Sequence, residues 1–128
     1  MRTIGIGVDI VENKRINLLI KNKKFIIRTF GKSEILNSKK VLNKTNYYSK
    51  RFAAKEALAK AINTGFREGL IFKDIEVVNN KLGKPYYVIG SKVKEFIKKK
   101  KGIKNFNLFL SISDEKDYSI AFAIIQST

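Results

Sequence analysis

Hydrophobic and polar positions change rhythm several times along this chain. Residues 3–9, TIGIGVD, alternate weakly and carry β-branched side chains, which predicts a strand ending near Asp9. From Glu12 onward, Ile16, Leu19 and Ile20 recur at helical spacing, with Glu12 placed to offset the positive helix start and a basic exposed side. In GKSEIL, Ser33 is the expected N-cap of a short helix, and residues 46–63 read as a long central one. In DIEVVNNKLGKPYYVIG, Ile75, Val77 and then residues 86–89 flank Asn-Asn-Lys-Leu-Gly, the pattern of a hairpin closed by a glycine-bearing loop. Residues 91–100 look helical, and FNLFLSIS and YSIAFAII, separated by DEKD, form a second hairpin. This order argues for the α+β class with an antiparallel sheet. No repeat, linker or composition break divides the chain, so a single domain over residues 1–128 is expected.

The densest pattern is RFAAKEALAKA, residues 51–61. On a helix, Ala54, Ala57, Leu58, Ala61 and Ile62 form an apolar stripe, while Phe52, Glu56, Lys60 and Asn63 align on the far side. An acid and a base thus project together beside an aromatic ring. The small residues favour helix and allow neighbouring backbone to come close. Lys55 points about 100° away from Glu56, towards the edge of the apolar stripe, which suits a structural or peripheral part.

Composition removes several kinds of chemistry. The chain has no cysteine and no histidine, which excludes disulfides, zinc sites of the usual kind, and Cys-His or Ser-His catalysis. No apolar run approaches the roughly 20 residues of a membrane span, and an acid comes too early after the start for a secretory signal. A cytoplasmic protein with no membrane association is expected. The net charge of +16 suits a polyanionic partner, although a chain so rich in Lys, Ile and Asn also reflects what an A+T-rich genome would encode. Two dense basic clusters, residues 14–24 and 92–104, fall in or beside expected helices.

Asp9 follows two glycines at the expected strand end, and Glu56 lies on the central helix. Two carboxylates brought together from distant positions suit Mg²⁺, which takes oxygen ligands and commonly binds one or two carboxylates plus substrate phosphates and water. Lys60 beside them would neutralise phosphate. GIG lacks the third glycine of a dinucleotide fingerprint and the GK[ST] of a P-loop, so a tight strand end is its better reading.

Four stretches, GIGVDIVENKRI (5–16), RFAAKEALAKAINTG (51–65), FKDIEVVNNKLGKPY (72–86) and LSISDEKDYSIAFAI (110–124), together resemble the holo-acyl-carrier-protein synthases, the small bacterial type of 4'-phosphopantetheinyl transferase. The motifs occur in the family's order and span nearly the whole chain. The resemblance implies the transferase fold, an antiparallel sheet packed against a long central helix. It implies Mg²⁺-dependent transfer of 4'-phosphopantetheine from coenzyme A to a serine of apo acyl carrier protein, releasing adenosine 3',5'-bisphosphate, in support of fatty-acid biosynthesis.

By the same resemblance, Asp9 and Glu56 correspond to the metal-binding acids, and Lys60 to a lysine that meets a phosphate of coenzyme A; these three are the candidate catalytic residues. A metal-bound water or Glu56 would accept the proton of the carrier's serine. Gly83, Lys84 and Pro85 match a nucleotide-contacting loop, and Thr64 and Gly65 match a turn near the nucleotide, where Gly65 also reads as a helix terminator. Many members carry Ser-His after the penultimate strand, whereas this chain has Ser113-Asp114, and an aspartate there would repel phosphate. Arg15, Lys21, Lys24 and Phe25 are the docking candidates for the acidic carrier protein. Trimers with active sites shared between subunits are common in the family, so a homotrimer is expected.

Two other classes fit parts of the pattern. A small nucleic-acid-binding protein would use the charge and tyrosines 47, 48, 86 and 87, but leaves Asp9, Glu56 and Lys60 unexplained. A Mg²⁺-dependent nuclease would use two acids and a lysine, with the lysine generally two residues after the acid on a strand rather than four on a helix. No nucleic-acid partner is expected.

Overall fold

The computed structural model describes residues 1–64 and 68–128. Strand β1 (Arg2–Glu12) leads into short helices α1 (Asn13–Leu19), α2 (Lys23–Thr29) and α3 (Lys32–Ser38), then the long helix α4 (Lys44–Ile62). A 3₁₀ turn (Phe72–Asp74) precedes strands β2 (Ile75–Asn79) and β3 (Pro85–Ile89). Helix α5 (Ser91–Lys101) and strands β4 (Phe106–Asp114) and β5 (Tyr118–Ser127) follow. The strands form a three-stranded sheet in the order β1-β5-β4 and a separate β2-β3 hairpin, both antiparallel. The fold is therefore α+β, as the order of elements implied.

Alternation decides which face of the larger sheet is covered. Gly5, Gly7, Asp9 and Val11 of β1 stand opposite Ile125, Ala123, Ala121 and Ser119 of β5 and share the face that packs on α4. The two glycines are required by this packing: a Cβ on Gly7 would overlap the carbonyl oxygen of Ala57, and one on Gly5 that of Ala61. Helix backbone thus rests directly on strand backbone. The alanines of α4 serve the same close approach, and Ala53, Ala54, Ala57, Leu58, Ala59, Ala61 and Ile62 are all buried. Ile16, Phe30, Ile75, Ile97 and Ile125 from the surrounding elements complete the core. Truncating Leu58, fully buried, to Ala would cost about 2–5 kcal/mol.

Both hairpins and the long helix form where the pattern placed them, and four details differ. The first strand does not end near Asp9; Ile10 and Val11 continue the alternation, and pairing with β5 runs on to Glu12–Tyr118. GIG is accordingly not a strand end but a mid-strand contact with α4. Residues 13–29 form two helices rather than one, because the chain turns at Ile20–Asn22 and Asn22 caps α2 by accepting from the Lys24 N–H at 2.9 Å. Ser33 is not the N-cap of α3. Gly31 holds that position, its N–H donating to Glu34 Oε1 at 2.9 Å, while the Ser33 hydroxyl donates to Glu76 Oε2 at 2.6 Å. Finally, α4 is buried nearly all round: Phe52, placed on the far side with Glu56, stacks on Phe72 with ring centroids 5.5 Å apart.

Candidate active site

The candidate site forms where the middle of β1 passes the last two turns of α4. Asp9 shares the helix-facing side of the sheet with its partner Ala121, whose small side chain leaves room above the strand. Lys60 closes the gap from the helix: its Nζ donates to Asp9 Oδ1 at 2.9 Å and to the Val8 carbonyl at 3.1 Å. Half of the Lys60 side chain remains exposed (52%), against 15% of Asp9. Glu56, one turn earlier on the same side of α4, is half-buried.

The electrostatics tie these groups into one cluster. Burial, and then the charge of Asp9, hold the Glu56 carboxyl above its ordinary range, while Lys60 and Arg15 pull it down. The Arg15 guanidinium lies 5.8 Å from the centre of the Phe52 ring, on the edge of the same region. Asp9 and Glu56 therefore repel across a partly dry gap, a cost that a cation between them would remove. The donors are oxygens only, which suits a hard ion of the Mg²⁺ type. Among the described residues no three His, Cys, Asp or Glu side chains gather at one point. A cation held by Asp9 and Glu56 would need further oxygens from water or a phosphate ligand.

The other expected contacts are distributed around α4. Asn63 ends the helix in the left-handed conformation with φ 75°. Thr64 is buried just beyond it, and Gly65 lies outside the described residues. Gly83, Lys84 and Pro85 form the β2–β3 turn: Gly83 adopts φ +86°, the Lys84 N–H donates to Asn80 Oδ1, and Pro85 starts β3 opposite Asn79. Among the described hydrogen bonds and ion pairs none joins this turn to Asp9, Glu56 or Lys60. It is linked instead to the first half of α4 through Asn79, which donates to the Gly83 carbonyl at 2.9 Å and accepts from Arg51 Nη2 at 2.5 Å.

Arg51 went unnoticed in the sequence although it opens RFAAKEALAKA. Its guanidinium is buried over the Tyr47 ring, 3.7 Å from the centroid, and faces a groove lined also by Asn37, Lys40, Lys50 and Asn79. Burial lowers its proton affinity, with Tyr47 and Glu34 opposing. Arginine in such a motif is a signal for anion recognition that chain position alone does not separate from a solvated helix face. Asp114, across α4, accepts from Asn46 Nδ2 at 2.6 Å.

Lys21 and Lys24 are exposed at the α1–α2 junction, where exposed Leu18 and Ile27 accompany them. Phe25 is half-buried instead, its ring 6.1 Å from both Phe30 and Phe52. Of the two parts that suit Lys55, structural or peripheral, the structural one holds: it is completely buried and ion-paired with Glu34 at 2.6 Å.

Residues 5–123 match the 4'-phosphopantetheinyl transferase superfamily. The holo-[acyl-carrier-protein] synthase of Pelagibacter ubique (strain HTCC1062) is 61% identical over 126 residues, 98% of each chain. The crystal structure of the Neisseria meningitidis holo-[acyl-carrier-protein] synthase superposes with a TM-score of 0.87 at 38% identity, covering 98% of this chain and 99% of that one. The Bacillus anthracis synthase, in complex with CoA (3',5'-ADP), superposes with a TM-score of 0.83 at 32% identity over the full length of both chains. With its motifs, its fold and its near-complete alignment in agreement, the chain belongs to the 4'-phosphopantetheinyl transferase superfamily and is an enzyme of the holo-[acyl-carrier-protein] synthase type.

Proposed function

We propose that this enzyme, a single transferase domain acting in the cytoplasm, moves 4'-phosphopantetheine from coenzyme A to a serine of apo acyl carrier protein. The products are holo acyl carrier protein for fatty-acid biosynthesis and adenosine 3',5'-bisphosphate, and Mg²⁺ is required. The observation that carries this reading is the meeting of Asp9 and Glu56 beside Lys60, on a fold shared with a synthase that holds coenzyme A.

Asp9 and Glu56 are the residues that would hold Mg²⁺. The chemistry such an ion would supply there is polarisation of the phosphate under attack and neutralisation of charge on the departing one. Lys60, half exposed on its bond to Asp9, supplies an ammonium to a phosphate of the same ligand. The serine proton leaves as the new P–O bond forms, and Glu56 or a water beside it accepts it. Arg51, Lys84 and the turn around Gly83 and Pro85 supply nucleotide and phosphate contacts, with Thr64 and Gly65 beyond the helix end. The basic α1–α2 surface, with Arg15, Lys21, Lys24 and Phe25, receives the acidic carrier protein and speeds encounter by charge attraction.

A homotrimer with shared sites is part of the same reading. Its support is the uncovered face of the larger sheet, where Ile6, Val8, Ile10, Phe109, Ile120 and Phe122 are all exposed.

The test is the intact mass of apo acyl carrier protein after incubation with the enzyme and coenzyme A, with Mg²⁺ or with excess chelator. A gain of one phosphopantetheine only with metal is expected. An unmodified carrier across several carriers and metals would overturn the reading, and the surface of net charge +16 would make nucleic-acid binding the next assay.

A further inference from the structure

Lys55 carries a charge that the proposed reaction does not use, at a position where a charge is costly. Its side chain is wholly inaccessible, as is that of Glu34. The ammonium donates to three acceptors from three elements: Glu34 Oε1 on α3 at 2.6 Å, the Phe72 carbonyl of the 3₁₀ turn at 3.1 Å, and the Ile75 carbonyl at the start of β2. Glu34 in turn accepts from the backbone N–H groups of Gly31 and Val77. Beyond the ion pair itself, Lys55 and Glu34 bond to two backbone carbonyls and two backbone N–H groups, which an apolar pair of the same volume could not serve, so together they fix α3, α4 and the start of β2 to one another.

We propose that Lys55 is a positioning residue: with Glu34 it clamps α4 in the one rotational setting that places Glu56 against Asp9, an inference that rests on reading those two carboxylates as the metal pair. On its sheet side α4 is a smooth surface. Ala57 and Ala61 lie against Gly5 and Gly7, so backbone contact sets the distance but offers no side-chain knob to resist rotation or sliding. Directional bonds resist such motion at the exposed edge, through Lys60 to Asp9 and Val8, and near the helix start, through Asn46 and Arg51; Lys55 supplies the fully buried set, from the other side. Glu56 is the next residue, about 100° round the helix. With side-chain tips roughly 5–6 Å from the axis, a rotation of about 20° would move the Glu56 carboxylate by about 2 Å. A misplacement of about 1 Å can already cost about 100-fold in rate.

The test replaces Lys55→Met together with Glu34→Gln, which removes both charges; the single amide oxygen can accept from only one of the Gly31 and Val77 N–H groups, which bond to different oxygens of Glu34, so folding is checked first. Mn²⁺ binding is read from loss of the free-ion electron paramagnetic resonance signal, alongside circular dichroism, thermal midpoint, kcat and KM for coenzyme A. In the folded variant the Mn²⁺ dissociation constant should rise about tenfold and kcat fall about 100-fold, with KM for coenzyme A within about threefold. Mn²⁺ affinity equal to the parent's in a folded variant overturns the proposal, whatever the thermal midpoint does. A loss confined to KM places the effect on the β2–β3 hairpin and overturns it as well. Should the double variant not fold, Glu34→Gln alone is read by the same criteria. A Glu56→Ala control separates the two levels: if it binds Mn²⁺ like the parent, the metal-pair reading fails, whereas weakened binding there with parental binding in the clamp variant removes the clamp alone.

Discussion

Asp9 Oδ1 accepts a hydrogen bond from Lys60 Nζ at 2.9 Å, joining the middle of β1 to the last turn of α4. With half of the lysine side chain in solvent, screening leaves this pair a stabilisation of about 0–1 kcal/mol. In the proposed reaction its importance lies in holding an ammonium beside Asp9 and Glu56. Lys60→Ala should therefore shift the thermal midpoint by only about 1–3 °C, while kcat/KM for coenzyme A falls at least about tenfold through the lost phosphate contact. Calorimetry beside steady-state kinetics checks this; a large stability loss with unchanged kinetics would make the bond structural.

Glu56 stands in the opposite relation to Asp9, whose charge makes it harder to ionise, and it also loses water. Replacing Glu56→Gln keeps the shape and removes both penalties. The variant should unfold at an equal or higher temperature than the parent, while transfer to the carrier falls by at least about 100-fold and Mg²⁺ no longer saturates at the parental concentration. Thermal unfolding and metal titrations of the two proteins provide the comparison. A variant that is both less stable and fully active would remove Glu56 from the site.

Gly7 carries a different prediction because the helix stands on it. A Cβ there would overlap the Ala57 carbonyl, backbone that cannot swing aside. Gly7→Ala should destabilise the fold by about 1–3 kcal/mol and push α4 away from β1, separating Glu56 and Lys60 from Asp9. Denaturant unfolding should show the loss. Activity of the still-folded fraction should fall too, since Ala57, the residue displaced, directly follows Glu56.

These relations were unequally visible in the chain. The hairpins could be read because their alternating runs are long and separated by turn residues, and α4 because alanine and leucine repeat at helical spacing over RFAAKEALAKA. That same spacing put Glu56 and Lys60 on one side. Asp9 was misplaced at a strand end because an acid after two glycines looks like a boundary, whereas its burial depends on α4 lying above it, where its contact Lys60 is 51 residues away in the chain. Lys55 could be read as structural or peripheral, but the sequence could not choose between the two. A helical wheel gives the direction of a side chain but not what lies there, and its acceptors come from Glu34, Phe72 and Ile75. Ser33 lost its cap role to Gly31 because Glu34 could reach back to the Gly31 N–H, leaving the serine hydroxyl for Glu76.

The outer face of the β1-β5-β4 sheet yields the last prediction. Register places Val8 opposite Phe122, Ile6 opposite Ile124 and Ile10 opposite Ile120, with Phe109 beside Ile124 on the far strand. These residues point away from α4, and Val8 and Phe122 remain 51% and 39% exposed. A contiguous apolar face across three strands is unusual for a monomer and is the expected signature of an interface. A charge at its centre should prevent association without disturbing the core on the other side of the sheet. Val8→Lys is suited to this, since its side chain alternates away from Gly7 and Asp9 and its backbone pairing with β5 is retained. Analytical ultracentrifugation should show trimers for the parent and monomers for the variant, with parental circular dichroism. Transfer activity should be lost along with assembly if sites are shared between subunits. A parent that sediments as a monomer would remove the trimer from the proposed function, and a monomeric variant with full activity would place each site within one chain.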